Sequence, residues 1–296
     1  MFRTLTVLMV FFISFVSFSA QAQTATCTGW QTFKRIDGRK NTRAFGINNF
    51  GTVVGGTDSG YHGTEPPAFV RYPNGSITIF RYHGLQTTFS SRNSQGVTVG
   101  YYRGPQASGV PTGHVHGIVV YGSKVVTINY PKSSDTGPLG INKWGTIVGY
   151  YQLPGSTHMH GFEYKNGKFS SVQFPNSTDT VVQSINDNGV MVGFELQGSG
   201  VYESFILKNG TFTTIKAPKA TGATFVYDIN NSGVMVGDYI VGVNPQSFIY
   251  SNKFFKDIDV PNANPYANAF AINDHNQVAG EEFTVDGSSG FIAHCE

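Results

Sequence analysis

One phrase recurs along the chain and limits what the chain can fold into. Its clearest copies are GINKWGTIVGYY from Gly140, SINDNGVMVGFE from Ser184 and DINNSGVMVGDY from Asp228, and looser copies start at Gly46, Ser91 and Ala271. Each copy has an asparagine at its third position, and consecutive asparagines are 43 to 49 residues apart. They are Asn48, Asn93, Asn142, Asn186, Asn230 and Asn273. A period of this length with about four strand-like runs per copy predicts an all-β fold, a six-bladed β-propeller of four-stranded antiparallel blades.

Each copy divides into four runs, a to d, which alternate apolar and polar residues and are separated by turn residues. In the fifth copy the runs are Thr224 to Asn230, Val234 to Ile240, Gln246 to Tyr250 and Phe254 to Asp259. An N-x-x-G turn joins a to b in five copies, where the asparagine side chain caps the turn and the glycine takes a positive φ; in the sixth copy Asn276, which also tolerates a positive φ, stands in place of the glycine. Asn-Gly turns join c to d in several copies, which is a strong hairpin signal. Each copy is therefore predicted to be an antiparallel meander.

The two ends of the chain complement each other. Trp30 to Asp37 resembles a d run without a, b or c before it, while the last copy stops after its c run. We expect the N-terminal strand to pair with the last blade and close the ring, as in WD-repeat propellers. Cys27 precedes the first d run and Cys295 ends the last c run, so this closure predicts a Cys27–Cys295 disulfide, which also suits an exported protein.

The first 22 residues have the features of a secretory leader. Arg3 precedes an apolar run from Leu5 to Phe18, which is followed by a small-x-small site ending at Ala22. We expect cleavage near Ala22, a secreted or periplasmic protein, no membrane anchor, and a single propeller domain over residues 23–296. The formal net charge of +2 gives no reason to expect nucleic acid as a partner. No cofactor is expected, and the mature chain is expected to be a monomer.

Aromatic residues repeat in the c runs next to a repeated glycine in the b runs. The aromatic positions are Phe69, Phe162, Phe205, Phe248 and Phe291, and the glycines are Gly55, Gly100, Gly149, Gly193, Gly237 and Gly280. We expect the phenylalanines to form the core, each fitting against a glycine of a neighbouring blade.

The b–c and d–a loops vary in length, whereas the a–b and c–d turns are short and alike. Since functional residues on a rigid scaffold tend to lie in variable loops, we expect the ligand on the b–c and d–a face. Candidate binding residues at the ends of the b runs are Tyr101, Tyr102, Tyr150, Tyr151, Glu195, Asp238 and Glu281, with Glu282 beside them. Tyrosines with a few acids suit stacking on sugar rings. The leading hypothesis is a non-enzymatic binding or scaffold module for an extracellular glycan or protein. The alternative is a carbohydrate-active enzyme that uses Asp238, Glu281 and Glu195.

Two histidine pairs offer a metal hypothesis. His114 with His116 and His158 with His160 stand at i and i+2, a spacing that puts both imidazoles on one side of a strand. The competing interpretation is that His116 and His160 are turn residues that cap backbone groups.

The phrase G-I-N-x-x-G-x-[VI]-V-G-x-Y followed by H-G-F resembles the HAF-repeat family of exported bacterial proteins. Gly140 to Tyr150 with His160, Gly161 and Phe162 carry the resemblance, and Gly46 to Gly55 and His116 to Ile118 carry it more weakly. The resemblance implies an exported, repeat-built β protein and carries over no catalytic residue.

Overall fold

β-Strands make up almost all regular structure in the part of the chain that the computed structural model describes. That part comprises residues 23–33, 36–58, 65–104, 113–198, 200–259, 261 and 266–296. The predicted leader lies outside it, as do residues 59–64 and 105–112 of two b–c loops. One 3₁₀ turn, Ile36–Gly38, follows the N-terminal strands. No helix of the described residues is long and apolar enough to cross a membrane.

The strands follow one another in the order that the repeats predict. The N-terminal strands and the first three blades are β1 (Gln23–Thr24), β2 (Cys27–Phe33), β3 (Thr42–Ile47), β4 (Val53–Thr57), β5 (Ala68–Arg71), β6 (Ile77–Phe80), β7 (Thr87–Arg92), β8 (Val97–Arg103), β9 (Val115–Tyr121), β10 (Lys124–Ile128), β11 (Asp135–Ile141), β12 (Ile147–Gln152), β13 (His160–Lys165) and β14 (Lys168–Val172). The remaining strands are β15 (Asp179–Ile185), β16 (Met191–Leu196), β17 (Tyr202–Lys208), β18 (Thr211–Ile215), β19 (Thr224–Ile229), β20 (Met235–Val241), β21 (Asn244–Ser251), β22 (Phe254–Asp257), β23 (Ala267–Ile272), β24 (Gln277–Thr284) and β25 (Gly287–Cys295).

The described strands form six sheets, one for each copy of the phrase. Blades 1 to 5 are β3–β6, β7–β10, β11–β14, β15–β18 and β19–β22, each in meander order, and blade 6 is β23–β25 with β2. The predicted six-bladed propeller of four-stranded antiparallel blades is confirmed.

Blade 6 is completed by the N-terminal strand, as the sequence predicts. β2 pairs antiparallel with β25, with Cys27 opposite Cys295, and the two cysteines form a disulfide. The chain also contains a strand that the repeats did not predict. β1 pairs parallel with β22, the outer strand of blade 5, so the N-terminal segment bridges two neighbouring blades.

The turn asparagines form a hydrogen-bonded ring around the propeller. Each Oδ1 accepts the backbone N–H groups two and four residues later, as the Asx-turn prediction requires. Each Nδ2 donates to the carbonyl of the next blade's asparagine at 3.0 to 3.3 Å, in the order Asn48, Asn93, Asn142, Asn186, Asn230, Asn273 and back to Asn48. We call this the asparagine ring. One side chain therefore closes a turn within its blade and joins that blade to its neighbour.

The core lies between the blades. Phe69, Phe162, Phe205, Phe248 and Phe291 are all fully buried, and Ile118 takes the same place in blade 2. The expectation that each phenylalanine fits against a glycine of a neighbouring blade is wrong. Gly193, for example, lies opposite Phe205 of its own blade, and a Cβ there would stand 3.0 Å from the ring and only 2.0 Å from the carbonyl oxygen of Val181. The repeated glycine therefore allows the inner strand and the phenylalanine of the same blade to approach its backbone closely.

Candidate functional site

Every inner strand carries a β-bulge three residues before its turn asparagine. In blade 1, Ala44 pairs with Gly55 and Gly46 with Val54, so Phe45 has no partner residue on β4. The same shift in all six blades leaves one residue of each inner strand without a partner residue on the next strand. These residues are Phe45, Ser90, Leu139, Gln183, Tyr227 and Phe270. A bulge bends its strand and redirects the side chain of the extra residue. We call these six the bulge residues.

The six bulge residues line one cavity of about 200 Å³. Because each blade contributes the equivalent position, the cavity lies on the axis of the propeller. Thr88 and Tyr101 complete its described lining, which contains no Asp, Glu, Lys, Arg or His. The cavity is partly open, and its walls suit an uncharged ligand.

The cavity walls divide into an aromatic and a polar part. Phe45 and Phe270 lie 5.2 Å apart between ring centroids, and Phe270 and Tyr227 lie 5.4 Å apart. The polar part includes Ser90 and Gln183, whose Oγ and Oε1 atoms are buried and have no hydrogen-bond partner among the described residues. Such buried polar atoms are rare because each costs free energy unless a partner satisfies it.

The aromatic wall continues out of the cavity. Tyr227 lies almost parallel to Phe225 at 6.2 Å, Phe225 contacts Phe194 at 5.2 Å, and Phe194 contacts Tyr202 at 5.7 Å. Tyr202 begins β17, directly after the b–c loop of blade 4. These rings, all half-buried, form a continuous path that we call the aromatic track: Phe45, Phe270, Tyr227, Phe225, Phe194 and Tyr202. The track connects the axial cavity with the loop face on which the sequence predicted the ligand.

Of two predicted binding residues at equivalent positions, Tyr101 lines the cavity and Tyr150 is not part of its described lining. Each directly follows the repeated glycine of its b strand. The Tyr150 ring covers Gly137, where a Cβ would stand 2.3 Å from the ring. Burial, together with the neighbouring Tyr101, raises the pKa of Tyr150, so its hydroxyl stays protonated and can donate a hydrogen bond.

Tyr102 and Tyr151 lie one residue further along and face the opposite side of their blades. Tyr102 packs between Tyr82 and His116 at centroid distances of 4.8 and 5.2 Å. Tyr151 is buried and stacks on Tyr130 at 3.6 Å. The ring centroid of Tyr151 also lies 5.2 Å from that of His160. These two tyrosines therefore pack against the preceding d–a loops and against histidines of their own blades, and they do not belong to the described lining of the axial cavity.

Asp238 and Glu281 occupy the position of Tyr101 in blades 5 and 6, and both are buried. Asp238 accepts a hydrogen bond from Ser247 Oγ at 2.6 Å, and burial raises the pKa of Asp238 to about 7. Arg43 Nε donates to both carboxylate oxygens of Glu281, at 3.1 and 3.0 Å, and Ser288 Oγ donates a hydrogen bond to the same carboxylate. Both carboxyl groups are therefore held by groups of the protein itself.

Glu195 does not occupy the position of Asp238 and Glu281. It follows its repeated glycine by two residues instead of one, and neighbouring residues of a strand point to opposite faces. Gln197 Nε2 donates to Glu195 Oε1 at 3.2 Å, and burial together with the nearby Glu203 raises the pKa of Glu195. Glu282 stands two residues after the repeated glycine of blade 6, so it faces the same side of its blade as Glu195 does in blade 4. It is buried as well. The acidic residues of the enzyme hypothesis are thus divided between two faces.

The four histidines are bound to separate partners. His114 Nδ1 lies 3.0 Å from Asp135 Oδ2, and His158 Nδ1 lies 3.6 Å from Asp179 Oδ2, each carboxylate belonging to the next blade. Hydrogen bonds from Val115 N, Ser134 and His114 lower the pKa of Asp135 although its burial acts in the opposite direction. His116 and His160 instead stack on tyrosines of their own blades.

Among the residues that the structure describes, no group of three or more His, Cys, Asp or Glu side chains is arranged to hold a metal ion. Each histidine pair thus serves contacts within or between blades.

A second, smaller hollow of about 80 Å³ lies on the axis at the asparagine ring. Its acidic residues are connected to neighbouring blades. Asp274 accepts from Asn49 Nδ2 and from Asn231 N at 2.6 and 2.8 Å, and Asp187 accepts from Lys143 N at 2.8 Å. Burial raises the pKa of Asp228 to about 6, while Ser184 and Ile272 donate hydrogen bonds to its carboxylate. These contacts show this end of the axis to be a hydrogen-bonded structural layer.

Sequence reasoning missed the bulge residues and the track residues Phe194, Phe225 and Tyr202. A signal was available in the aligned copies. The turn asparagine is the same in all six, and an isoleucine precedes it in five, yet the position three residues before it holds Phe, Ser, Leu, Gln, Tyr and Phe. This position therefore varies beside two positions that are nearly constant, and that contrast is the signal that singles out the six bulge residues.

No family model and no curated protein sequence matches the chain. Solved structures match its fold at low sequence identity. TolB from Acinetobacter baumannii gives a TM-score of 0.55 at 11% identity, over 71% of this chain and 52% of that one. Trypanosoma rangeli sialidase in complex with sialic acid gives 0.55 at 9% identity, over 93% of this chain and 60% of that one.

A third match covers both chains almost fully. The Aleuria aurantia lectin, in complex with Fucα1-6GlcNAc, gives a TM-score of 0.54 at 11% identity, over 86% of this chain and 94% of the lectin. The present chain spans only about half to 60% of the TolB and sialidase structures. At these identities the matches establish the propeller fold alone.

Proposed function

We propose that the protein is an exported, non-enzymatic binding module that takes a glycan along the aromatic track. The observation that carries the proposal is the continuity of the track, from the axial cavity to the b–c loop of blade 4 at Tyr202. Apolar ring faces stack on the C–H faces of sugars, and polar groups beside them select hydroxyl patterns. A path of several rings suits an extended glycan better than a single small molecule.

Two further features support export and binding. The leader-like residues 1–22 and the resemblance to HAF repeats favour a secreted or periplasmic location, and a disulfide suits an oxidising compartment. The Aleuria aurantia lectin is a propeller whose structure contains a bound saccharide, which shows that the fold can present such a site. A protein partner, the other class that the sequence left open, would need a broad face rather than a path that leads to the axis.

The enzyme alternative receives less support. Glycoside hydrolysis uses two carboxyl groups on one side of a cleft, one to protonate the leaving oxygen and one to act as base or nucleophile. Here Glu281 is neutralised by Arg43, Asp238 is enclosed by Ser247 and the backbone, and Glu195 faces the other side of its blade. We therefore propose binding without hydrolysis.

A glycan array with the oxidised protein that begins at residue 23 tests this function. We expect selective binding that Tyr202→Ala and Phe225→Ala each weaken by about tenfold, which is about 1.4 kcal/mol. Phe254→Ala is the matched control, because Phe254 is exposed on the outer strand β22 and lies off the track. Thermal unfolding of each variant confirms that it is folded. A blank array, an unchanged affinity in both track variants, or release of free sugar from the bound glycan would contradict the proposal.

A further inference from the structure

The axial cavity has features of a specific recognition site rather than of a packing defect. Six bulges at one layer direct six side chains of five residue types toward the axis, whereas the turn asparagine three residues later is the same in every blade and the isoleucine before it is the same in five. Bulges are frequent next to functional sites because they re-aim single side chains. The scaffold thus repeats six times, but the layer of bulge residues does not. Such an asymmetric layer can distinguish the faces and edges of a ligand.

The size and lining of the cavity restrict the ligand. A volume of about 200 Å³ exceeds the roughly 150 Å³ of an engineered protein cavity that binds benzene, so a single six-membered ring fits. With Phe45, Phe270 and Tyr227 on one side and Ser90 and Gln183 on the other, the ligand needs one apolar face and at least one hydroxyl group. The lining contains no acidic or basic side chain, which favours a neutral molecule.

The two buried polar atoms specify where ligand hydroxyls would bind. Gln183 Oε1 can only accept a hydrogen bond, whereas Ser90 Oγ can donate or accept. Neither has a partner among the described residues. A ligand hydroxyl that donates to Gln183 and a ligand oxygen near Ser90 would satisfy both atoms.

We infer that the cavity binds the terminal, neutral pyranose of the glycan, with its apolar face on the aromatic wall and its hydroxyl edge toward Ser90 and Gln183. This inference rests on the proposed function and names the sugar class that the inner end of the aromatic track selects. The following sugars of the glycan lie along the track toward Tyr202. A sialic acid or uronic acid is rejected, because a carboxylate in this lining would be buried without a cation.

The experiment measures binding of single neutral sugars by saturation-transfer NMR, using glucose, galactose, mannose, fucose and N-acetylglucosamine, with glucuronic acid as the charged comparison. The variants are Gln183→Leu, which is close to glutamine in volume and lacks its polar atoms, and Ser90→Ala, which removes Oγ without adding bulk to the cavity. Gln95→Leu is the control, since Gln95 is exposed in an a–b turn and does not line the cavity. We expect at least one neutral sugar to bind, glucuronic acid not to bind, and Gln183→Leu to lower the affinity by about tenfold or more.

A second readout separates ligand recognition from a structural role. Replacing a buried polar atom that has no partner by an apolar group of similar shape is neutral or stabilising. The unliganded Gln183→Leu protein should therefore unfold at the same or a higher denaturant concentration than the wild type while it loses sugar binding. Destabilisation by Gln183→Leu with no sugar binding in the wild type would overturn the inference and indicate a structural hydrogen bond instead.

The outcomes also separate this inference from the proposed function. If the array shows glycan binding that depends on Tyr202 but not on Gln183 or Ser90, the glycan binds on the loop face and the cavity inference fails alone. If both the array and the single sugars show no binding, both proposals fail. Both proposals are supported if a neutral sugar binds the wild type more tightly than it binds Gln183→Leu, and if glycan binding on the array is also weaker in Gln183→Leu.

Discussion

Asn273 Nδ2 donates a hydrogen bond to the backbone carbonyl of Asn48 at 3.0 Å, although 225 residues separate the two asparagines. This contact completes the asparagine ring between the last blade and the first. The ring closure thus includes a hydrogen bond at the axis and the pairing of β2 with β25 at the outer edge.

Asn273→Ala should destabilise the protein by about 3 kcal/mol, because it leaves buried backbone groups without partners. The side chain accepts from His275 N and Gln277 N in addition to its donation to Asn48. Urea unfolding followed by circular dichroism measures the change. Asn74→Ala is the matched control, since Asn74 caps an exposed c–d turn through Ser76 N. Equal losses in the two variants would show that the ring adds nothing beyond an ordinary turn cap.

Reduction of the Cys27–Cys295 disulfide should lower the free energy of unfolding by about 5 kcal/mol, because the bond joins residues with a sequence separation of 268 and so closes a very long loop. The measurement is denaturant unfolding with and without reductant, since the buried Cys295 becomes accessible as the chain unfolds. The double variant Cys27→Ser with Cys295→Ser should resemble the reduced protein and should not respond to reductant. A wild type that is equally stable under both conditions would mean that strand pairing alone closes the ring.

Gly193→Ala should destabilise the protein by about 3 kcal/mol or more, because a Cβ at this position overlaps backbone that cannot move aside without breaking the blade. The added atom would lie 2.0 Å from the carbonyl oxygen of Val181. Gly198→Ala is the control in the same blade, as a Cβ there meets no atom within 4 Å. The check is the urea midpoint of each variant. A loss in Gly193→Ala no larger than that in Gly198→Ala would contradict the close approach.

The protein should lose stability as the pH rises from about 4 to about 7, because the Asp238 carboxyl group is protonated in the folded state over this range. Burial raises its pKa to about 7 in the folded protein, against about 3.9 in an unfolded chain, so the folded state binds the extra proton in this range. Stability linked to a raised pKa is complete below the unfolded pKa and is lost as the pH passes the folded one, with a slope of up to about 1.4 kcal/mol per pH unit.

The measurement is the free energy of unfolding of wild type and Asp238→Asn at several pH values. The variant should lose less stability than the wild type between pH 4 and pH 7. Asp286→Asn, in the exposed turn between β24 and β25, should follow the wild type. Parallel curves for wild type and Asp238→Asn would show that the carboxyl group is ionised in the folded protein throughout this range.

Several features of the molecule followed from local sequence. The spacing of the six asparagines predicts the number of blades, because each N-x-x-G turn must join two neighbouring strands. Phe162 and Phe205 are predicted as core residues from their repetition, and the Cys27–Cys295 bond from the incomplete first and last copies. These features depend on turn chemistry and alternation, which are properties of a few consecutive residues.

The candidate site did not follow from local sequence. The tyrosines and acids at the ends of the b runs look alike in sequence, yet Tyr101 lines the cavity while Tyr102 packs against His116. A difference of one residue along a strand reverses the face of the side chain, and loop length gives no information about which face reaches the axis.

The sequence by itself determined a closed ring of six meanders, with a disulfide between its two cysteines and asparagine caps at the turns within its blades. Only the tertiary structure decided that Phe45, Ser90, Leu139, Gln183, Tyr227 and Phe270 meet at the axis. The physical reason is the bulge. A one-residue shift in pairing leaves the pattern of turns and apolar positions unchanged, and its consequence exists only where six inner strands from distant parts of the chain face one another.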